Sequence, residues 1–332
     1  MYKTLLLVIL TALALSLWGC SIDGDTVYAL KLSSRPTERE WAAAVPLRLE
    51  ASGGATSQMK ESEVDEDSVH VATASCHHGT GAPPVELSIK AFYTSEALYM
   101  RLEWKDPTMD TGRTWSWSKT GWTPGDGRED GAGILWGEDE NFDCVHSCHL
   151  KDWRMAGEMK ATADFAMETS EGTLKDFWIW RSGRGGSGGM AEDATLSERG
   201  RVSDTGEERE LFTPNSRNAA EGDKEIFTDG DVPIKHPEEK LNASAPGELL
   251  ADESYDRLEV SANGEYREGR WVVTLSRPLA PAGSADVTFY AGGEYFFGVA
   301  VIDGVGTDHN AGRFPLRLKL VEPGSITPPL ED

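Results

Sequence analysis

The sequence predicts an all-β fold: a single antiparallel β-sandwich with long irregular loops, preceded by a signal or lipid-anchor segment. Apolar and polar residues alternate along residues 85–91 and 98–104, as they do in strands with one buried face. No clear amphipathic helix longer than two turns and no internal repeat interrupts this pattern. The 332 residues are enough for one large β domain or two small ones.

Strand signals recur along the chain. The first lies at residues 45–49, and Thr94-Ser95-Glu96 is the break expected of a hairpin between two long strands. Later strands are predicted at residues 134–136, 257–260, 270–276, 286–290, 295–301 and 313–321. Residues 181–250 are Gly-rich and acidic and lack apolar periodicity, so they are predicted to be a long loop insertion. The resulting boundaries are a tether at 20–37, the sandwich domain at 38–322 and a tail at 323–332.

The N-terminus has the features of an export signal. A short basic start precedes an apolar run over residues 5–17, which is shorter than the roughly 20 residues of a spanning helix. The run ends in Leu17-Trp18-Gly19-Cys20, which resembles the lipobox of bacterial lipoproteins, with Trp18 an unusual third residue. We therefore expect a lipoprotein signal peptide at 1–19 and a lipid on Cys20. Ser21 favours the outer membrane on its periplasmic side; an uncleaved anchor and a plain secretion signal are the alternatives.

The charge of the chain restricts its expected partners. The formal net charge is −24 at pH 7. Such a surface repels phosphate backbones, so nucleic acid is not expected to bind. The same charge would attract a redox protein or enzyme subunit with a basic docking face, unless it serves solubility alone.

The segment that carries chemistry is Cys144-Val145-His146-Ser147-Cys148-His149. The usual c-type haem attachment motif is C-x-x-C-H, and the C-x-x-x-C-H spacing found here is a rarer variant. The attachment needs two thiols, which add to the vinyl groups of the porphyrin, and a histidine that ligates the iron. Cys144, Cys148 and His149 supply these groups, and an exported protein is in the compartment where c-type haem is attached. The sequence thus predicts one haem c.

Two other uses of these residues remain open. A disulfide between Cys144 and Cys148 is the simpler one. A structural zinc site is the other. Cys144, Cys148 and His149 would be three of its ligands and Cys76 or His78 the fourth, since three cysteines and a histidine are a common zinc ligand set.

Cys76-His77-His78 forms a second cluster. It fits a degenerate attachment motif, a source of the sixth iron ligand or a surface loop, and the last two readings are favoured over a second haem. If Cys20 is acylated, three cysteines remain, and an odd number leaves one thiol outside any disulfide framework.

Short segments in a specific order along residues 38–321 carry a wider resemblance. They are WAAAVPL at 41–47, ALYMRLEWKDPT at 97–108, ED at 129–130, ILW at 134–136, DFWIWR at 176–181, GRVSD at 200–204, WVVTLSRPL at 271–279 and FGVAVID at 297–303. In this order they resemble the ethylbenzene-dehydrogenase-type haem-binding domain, which is also the haem subunit of type II DMSO-reductase-family enzymes.

The resemblance implies a β-sandwich that holds haem at one end between loops and relays electrons, as haem subunit or partner of a molybdenum oxidoreductase. The best-known members of the family bind b-type haem through a methionine and a lysine. This chain departs from them in Cys144, Cys148 and His149, which resemble the c-type branch, so that ligand pair is not carried over.

Three residues are candidates for the second axial ligand of the iron. His78 belongs to the Cys76 cluster, His309 follows a predicted strand, and Met59 falls in the region where the b-type relatives place their methionine. Trp178 and Trp180 share one strand face and are candidates for the wall of a haem pocket, because large aromatic rings shield a porphyrin from water.

These features predict an electron-transfer protein rather than an enzyme, since no Ser-His-Asp set or paired-carboxylate motif of diagnostic spacing is found in the sequence. The alternative is a carbohydrate-binding β-sandwich module on the cell surface. In that module Trp115, Trp117 and Trp122 would stack on sugar, and acidic loops would hold calcium through carboxylate oxygens. The cysteine–histidine motif discriminates between the two, because a sugar module has no need of it.

Replacing Cys20 tests the anchor. Cys20→Ser should abolish acylation and release the protein from membranes, because a serine hydroxyl cannot form the thioether to the lipid. Membrane fractionation after a salt wash, with mass spectrometry of the N-terminus, measures this outcome. Retention of Met1 in the mature protein, or a Cys20→Ser variant that stays on the membrane, would show that the segment is not a lipoprotein signal.

Overall fold

The computed structural model describes residues 24–51, 84–112, 114–118, 121–123, 125–137, 150–155, 161–165, 169, 172–184, 189–203, 212–214, 228–229, 232–233, 244–246, 248–250, 259–283, 285–304, 309–312 and 315–322. This part of the chain is nearly all β, which confirms the predicted fold class. The strands are β1 (Thr26–Lys31), β2 (Leu47–Ala51), β3 (Val85–Tyr93), β4 (Ala97–Lys105), β5 (Thr114–Ser118), β6 (Gly121–Thr123), β7 (Gly131–Gly137), β8 (Leu150–Met155), β9 (Ala161–Phe165), β10 (Lys175–Arg181), β11 (Met190–Ser197), β12 (Gly200–Ser203), β13 (Phe212–Pro214), β14 (Thr228–Asp229), β15 (Val232–Pro233), β16 (Ser244–Pro246), β17 (Glu248–Leu250), β18 (Ser261–Arg267), β19 (Arg270–Pro278), β20 (Glu294–Ile302), β21 (His309–Ala311) and β22 (Leu316–Val321).

One large sheet contains thirteen of these strands, in the order β12-β11-β10-β7-β20-β22-β1-β3-β4-β19-β18, with β2 beside β3 and β21 beside β20. The sheet is nearly closed on itself, in keeping with a sandwich. Most neighbouring strands are antiparallel, as predicted. The exception is β1, which is parallel to both β22 and β3 and joins the two halves of the sheet.

Strand β1 corrects the sequence analysis locally, because residues 26–31 were assigned to a tether. Val27 and Ala29 face the core, whereas Tyr28 and Leu30 are among the exposed large apolar side chains. Apolar residues therefore occupy both faces of the strand, and this hides the alternation by which a half-buried strand is recognised. The wider domain boundaries stay predictions.

Strands β11 and β12 correct the loop insertion predicted over residues 181–250. Both strands belong to the large sheet, and every described side chain of β11 from Ala191 to Ser197 is buried. Glu192 and Asp193 are among them, with exposures of 0% and 2%. Their acidic side chains suggested a solvated loop, and only the arginines that meet them in the folded protein make their burial tolerable.

A single helix, α1 (Glu38–Ala43), occurs in the described residues and packs on the outside of the sheet. Its first turn is closed by a capping box between Thr37 and Glu40, in which the Glu40 carboxylate accepts the Thr37 N–H at 2.6 Å. Arg101 of β4 binds Glu38 through two hydrogen bonds of 2.6 and 2.8 Å and lies over the ring of Trp41 at 4.5 Å. No helix within these ranges is long and apolar enough to cross a membrane.

The core between the two halves of the sheet is rich in tryptophan. Trp180 of β10 meets Trp104 of β4 and Trp271 of β19, with ring centroids 6.2 and 5.0 Å apart. Trp136 of β7 and Trp178 of β10 form a second group 5.1 Å apart. Edge-to-face contacts of this kind add about 0.5–1.5 kcal/mol per pair to the burial of the rings.

Gly264 of β18 allows the closest of these contacts. A Cβ atom built on Gly264 would lie 2.1 Å from Cζ2 of Trp180. The indole therefore rests directly on the backbone of β18, the edge strand of the opposite half of the sheet.

Adding one methyl group at Gly264 should loosen this closure. We expect Gly264→Ala to lower the free energy of unfolding by about 1–3 kcal/mol, because the rigid indole of Trp180 must move to admit the Cβ atom. Gly133→Ala is the matched control, since a Cβ atom there makes an ordinary 3.4 Å contact with the Phe177 ring. Urea unfolding followed by tryptophan fluorescence measures both, and equal stabilities for the two variants would contradict the proposed contact.

Candidate functional site

The structure describes three of the residues proposed to hold or surround a haem: Trp178, Trp180 and His309. The other candidates lie outside the described residues, namely Cys20, Met59, Cys76, His78, Cys144, Cys148 and His149. Trp178 and Trp180 share one face of β10, as predicted, and both side chains are fully buried in the core. Their role as the wall of a haem pocket stays a prediction. His309 opens β21, where it pairs with Ile302 and is half-buried.

The tryptophans of the carbohydrate-binding alternative lie on a separate small sheet formed by β16, β5 and β6. Trp115 and Trp117 are two residues apart on β5 and therefore share a face of that strand, and both are half-buried. Trp122 pairs with Trp117 across the hairpin.

Three carboxylates meet where strands of the large sheet end, and we call them the Asp130 cluster: Asp106, Asp130 and Asp303. Asp106 follows β4, Asp130 precedes β7 and Asp303 follows β20. One ligand-type oxygen of each lies within 4.8 Å of those of the other two. Sequence reasoning missed this cluster because the three residues are 24 to 197 positions apart, and only the sheet brings them together.

Asp130 is held by three donors. Its Oδ2 accepts the backbone N–H of Asp110 at 2.7 Å and the indole N–H of Trp271 at 2.8 Å, and its Oδ1 accepts the N–H of Gly304 at 3.1 Å. Burial and the neighbouring Asp106 nevertheless raise the pKa of Asp130 to about 7.

The Asp106 carboxylate accepts fewer hydrogen bonds than that of Asp130. Its Oδ1 accepts the backbone N–H of Thr108 at 3.0 Å, whereas its Oδ2 is buried without a hydrogen-bond partner in the described residues. Burial raises the pKa of Asp106 and the charge of Asp303 adds to the shift, whereas the N–H of Thr108 and the indole of Trp104 act in the opposite direction. The phenol of Tyr266 donates to the backbone oxygen of Asp106 at 2.8 Å and so fixes the turn after β4.

Solvent reaches the Asp130 cluster through Asp303, whose side chain is 46% exposed. Arg128 stands at this rim, with Nη2 3.0 Å from Oδ2 of Asp110 and 3.6 Å from Oδ1 of Asp303. The buried pair, Asp106 and Asp130, forms no ion pair with a basic side chain in the described part of the chain.

A second group of carboxylates surrounds an arginine, and we call it the Arg277 cluster: Arg277, Asp176, Asp193 and Asp286. Nη1 of Arg277 lies 2.5 Å from Oδ2 of Asp176, 3.8 Å from Oδ1 of Asp193 and 3.9 Å from Oδ1 of Asp286. The side chain of Arg277 is fully buried, and its guanidinium lies 4.6 Å from the ring centroid of Trp178.

The guanidinium compensates part of the charge in the Arg277 cluster. Burial raises the pKa of Asp176 to about 6, although Arg277 acts in the opposite direction. Burial also raises the pKa of Asp286. Burying three carboxylates costs free energy unless a cation stays between them. The stability of the fold at this cluster therefore depends on Arg277.

Comparisons with known proteins give a family and a distant structural likeness. The profile described as ethylbenzene dehydrogenase matches residues 41–312. No curated protein matches the chain.

Among solved structures, a carbohydrate binding module family 9 from Caldicellulosiruptor kristjanssonii in complex with glucose has a TM-score of 0.35 at 10% identity, and covers 92% of this chain and 100% of its own. The same values hold for its complex with cellotriose. A protein from Bacteroides uniformis described as carbohydrate-binding has a TM-score of 0.34 at 8% identity, over 89% of this chain and 98% of its own. Likeness this distant transfers no ligand to this chain.

Removing the buried cation should destabilise the protein in a pH-dependent way. We expect Arg277→Met to lower the free energy of unfolding by about 3–5 kcal/mol at pH 7.5, because three carboxylates stay buried without it. Without the guanidinium, the folded-state pKa values of Asp176 and Asp286, which burial already raises, rise further above their unfolded values. Stability is therefore regained as the pH falls through the raised pKa values, and the loss should be smaller at pH 5.

Arg317→Met is the matched control for Arg277→Met. Arg317 pairs with Asp25 and Glu294 while remaining 32% exposed, so its loss should cost about 0–1 kcal/mol. Arg317 helps to lower the pKa of Asp25, so this carboxylate is ionised at pH 5 and at pH 7.5, and the control should change little between the two pH values. Urea unfolding at the two pH values measures both variants. A loss at Arg277 as small as at Arg317, or independent of pH, would contradict the assignment.

Proposed function

The chain belongs to the ethylbenzene dehydrogenase family, and from this premise we propose that it is a c-type cytochrome domain that relays electrons as haem subunit or partner of a molybdenum oxidoreductase. Family membership supports the association with such an enzyme. The observation that carries the haem is the C-x-x-x-C-H spacing of Cys144, Cys148 and His149.

The chemistry of these residues fits a covalently held haem. The thiols of Cys144 and Cys148 would form the two thioethers, and an imidazole nitrogen of His149 would ligate the iron. The motif lies in residues 138–149, which join the end of β7 to the start of β8. Strand β7 is central in its half of the sheet, between β10 and β20, so the segment starts from a firmly held strand.

Haem supplies a metal centre that changes charge by one electron. The chain would set its potential through the iron ligands, burial and hydrogen bonds around them. His78, His309 and Met59 remain the candidates for the second axial ligand. Trp178 and Trp180 would limit access of water if the haem lies against their end of the core.

The surface charge supports a docking role in the same proposal. A net charge of −24 would attract a basic face on a redox partner from a distance and orient it. The lipid on Cys20 would hold the domain on the periplasmic side of a bacterial membrane, with the outer membrane favoured, so that electrons are exchanged there. The chain then acts as a relay and leaves catalysis to its partner.

The carbohydrate-binding alternative keeps one observation in its favour. Trp115 and Trp117 lie on the same face of the small sheet and are only half-buried. Tryptophans that stack on sugar rings need such partly exposed positions. The two functions differ in a single readout, because only the cytochrome carries a covalent haem.

Cysteine replacement tests the haem directly. Wild-type protein made with the c-type maturation machinery should exceed the mass of the processed, lipidated polypeptide by one haem, and its Soret band should survive acid-acetone extraction. Cys148→Ser should keep at most one thioether, and the Cys144→Ser/Cys148→Ser double variant none, because each thioether needs its own thiol. Cys76→Ser is the control, since it removes a cysteine outside the motif and should keep one covalent haem. A wild-type mass without the haem increment would overturn the proposal.

A further inference from the structure

We propose that the Asp130 cluster is a binding site for a divalent cation of the calcium class. Asp106, Asp130 and Asp303 would supply its protein ligands. The inference is independent of the haem and concerns the opposite end of β7 from the predicted attachment segment.

The candidate ligand atoms are all carboxylate oxygens and lie close together. One oxygen from each residue lies within 4.8 Å of the others, which is close enough for all three to touch one ion. Carboxylate oxygens are the ligands of hard cations such as Ca²⁺ and Mg²⁺. The donors come from the ends of three different strands, and Ca²⁺ accepts such an irregular shell more readily than Mg²⁺, which requires near-octahedral geometry and retains its waters.

A buried oxygen of Asp106 without a hydrogen-bond partner is the second observation that supports a cation. Asp106 is 2% exposed, and its Oδ2 has no hydrogen-bond partner in the described residues. The neighbouring Asp130, 0% exposed, accepts three N–H groups and needs no further donor to be held in position. A buried carboxylate oxygen without a donor costs free energy that a coordinated cation would recover.

The Arg277 cluster shows how the same fold neutralises a set of three buried carboxylates. There Nη1 of Arg277 lies within 3.9 Å of an oxygen of each of three aspartates, so a basic side chain fills the position between them. The Asp130 cluster has the same number of carboxylates, but Arg128 stands at its rim and contacts only the exposed Asp303, at 3.6 Å. A cation from solution would do for Asp106 and Asp130 what Arg277 does in its own cluster.

The site is accessible and would have a structural effect. Asp303 is 46% exposed, so an ion can enter from solvent without unfolding the core. By joining residues that follow β4, precede β7 and follow β20, the ion would connect one half of the sheet to the other. Calcium should therefore stabilise the folded chain.

Terbium luminescence tests the site in place. Tb³⁺ replaces Ca²⁺ at oxygen sites, and Trp271, whose indole donates to Asp130 at 2.8 Å, is close enough to sensitise it. In full-length protein stripped with chelator, we expect tryptophan-sensitised Tb³⁺ emission that Ca²⁺ displaces, and a melting temperature that rises with Ca²⁺. Mg²⁺ at the same concentration should displace much less, and equal displacement by Mg²⁺ would overturn the assignment to calcium.

Two variants and a control locate the ion. Asp303→Asn, at the exposed position, should fold and lose both the sensitised emission and the stabilisation by Ca²⁺, and Asp106→Asn should lose them too. Asp126→Asn changes an exposed aspartate of the adjacent loop and should retain both. Absence of Tb³⁺ and Ca²⁺ binding to the wild-type chain, or retention of both signals in Asp303→Asn, would overturn the proposal.

Discussion

Closure of the sheet depends on one interaction, the packing of Trp180 across the core onto Gly264. The indole projects from β10 in one half of the sheet and meets Trp104, Trp271 and the bare backbone of β18 in the other. Interiors pack as densely as organic crystals, so a rigid ring resting on a glycine fixes the distance between the halves.

Buried charge is the second theme of the structure, and two solutions to it occur in one fold. In the Arg277 cluster a guanidinium stands among three carboxylates and also lies over the rings of Trp178 and Phe289, at 4.6 and 5.3 Å. In the Asp130 cluster, backbone and indole N–H groups hold one carboxylate while an oxygen of the next has no partner in the described residues. In the first arrangement a basic side chain stands between the carboxylates, and in the second we propose that a cation from solution takes this place.

Strand β7 relates these features to the proposed electron relay. Its first residue follows Asp130, its side chains enter the tryptophan core through Trp136, and residues 138–149 continue from its end. The proposed haem segment thus directly follows, in sequence, a strand that is paired on both sides and packed on its inner face. A relay benefits from such support, because a firmly held iron site needs little rearrangement when it changes charge.

The sequence alone determined the fold class and the long paired strands β3, β4 and β19, because a local pattern of alternation specifies each of them. The proposal of a haem also comes from the sequence, through the spacing of Cys144, Cys148 and His149. The sequence did not reveal β1, whose apolar residues lie on both faces, or β11, whose Glu192 and Asp193 suggested a solvated loop. It also did not reveal either carboxylate cluster, since Asp106 and Asp303 are joined only through the sheet. The physical reason is the same in each case: the free energy of a buried charge or a two-faced strand depends on neighbours that are distant in sequence, and only the tertiary structure supplies them.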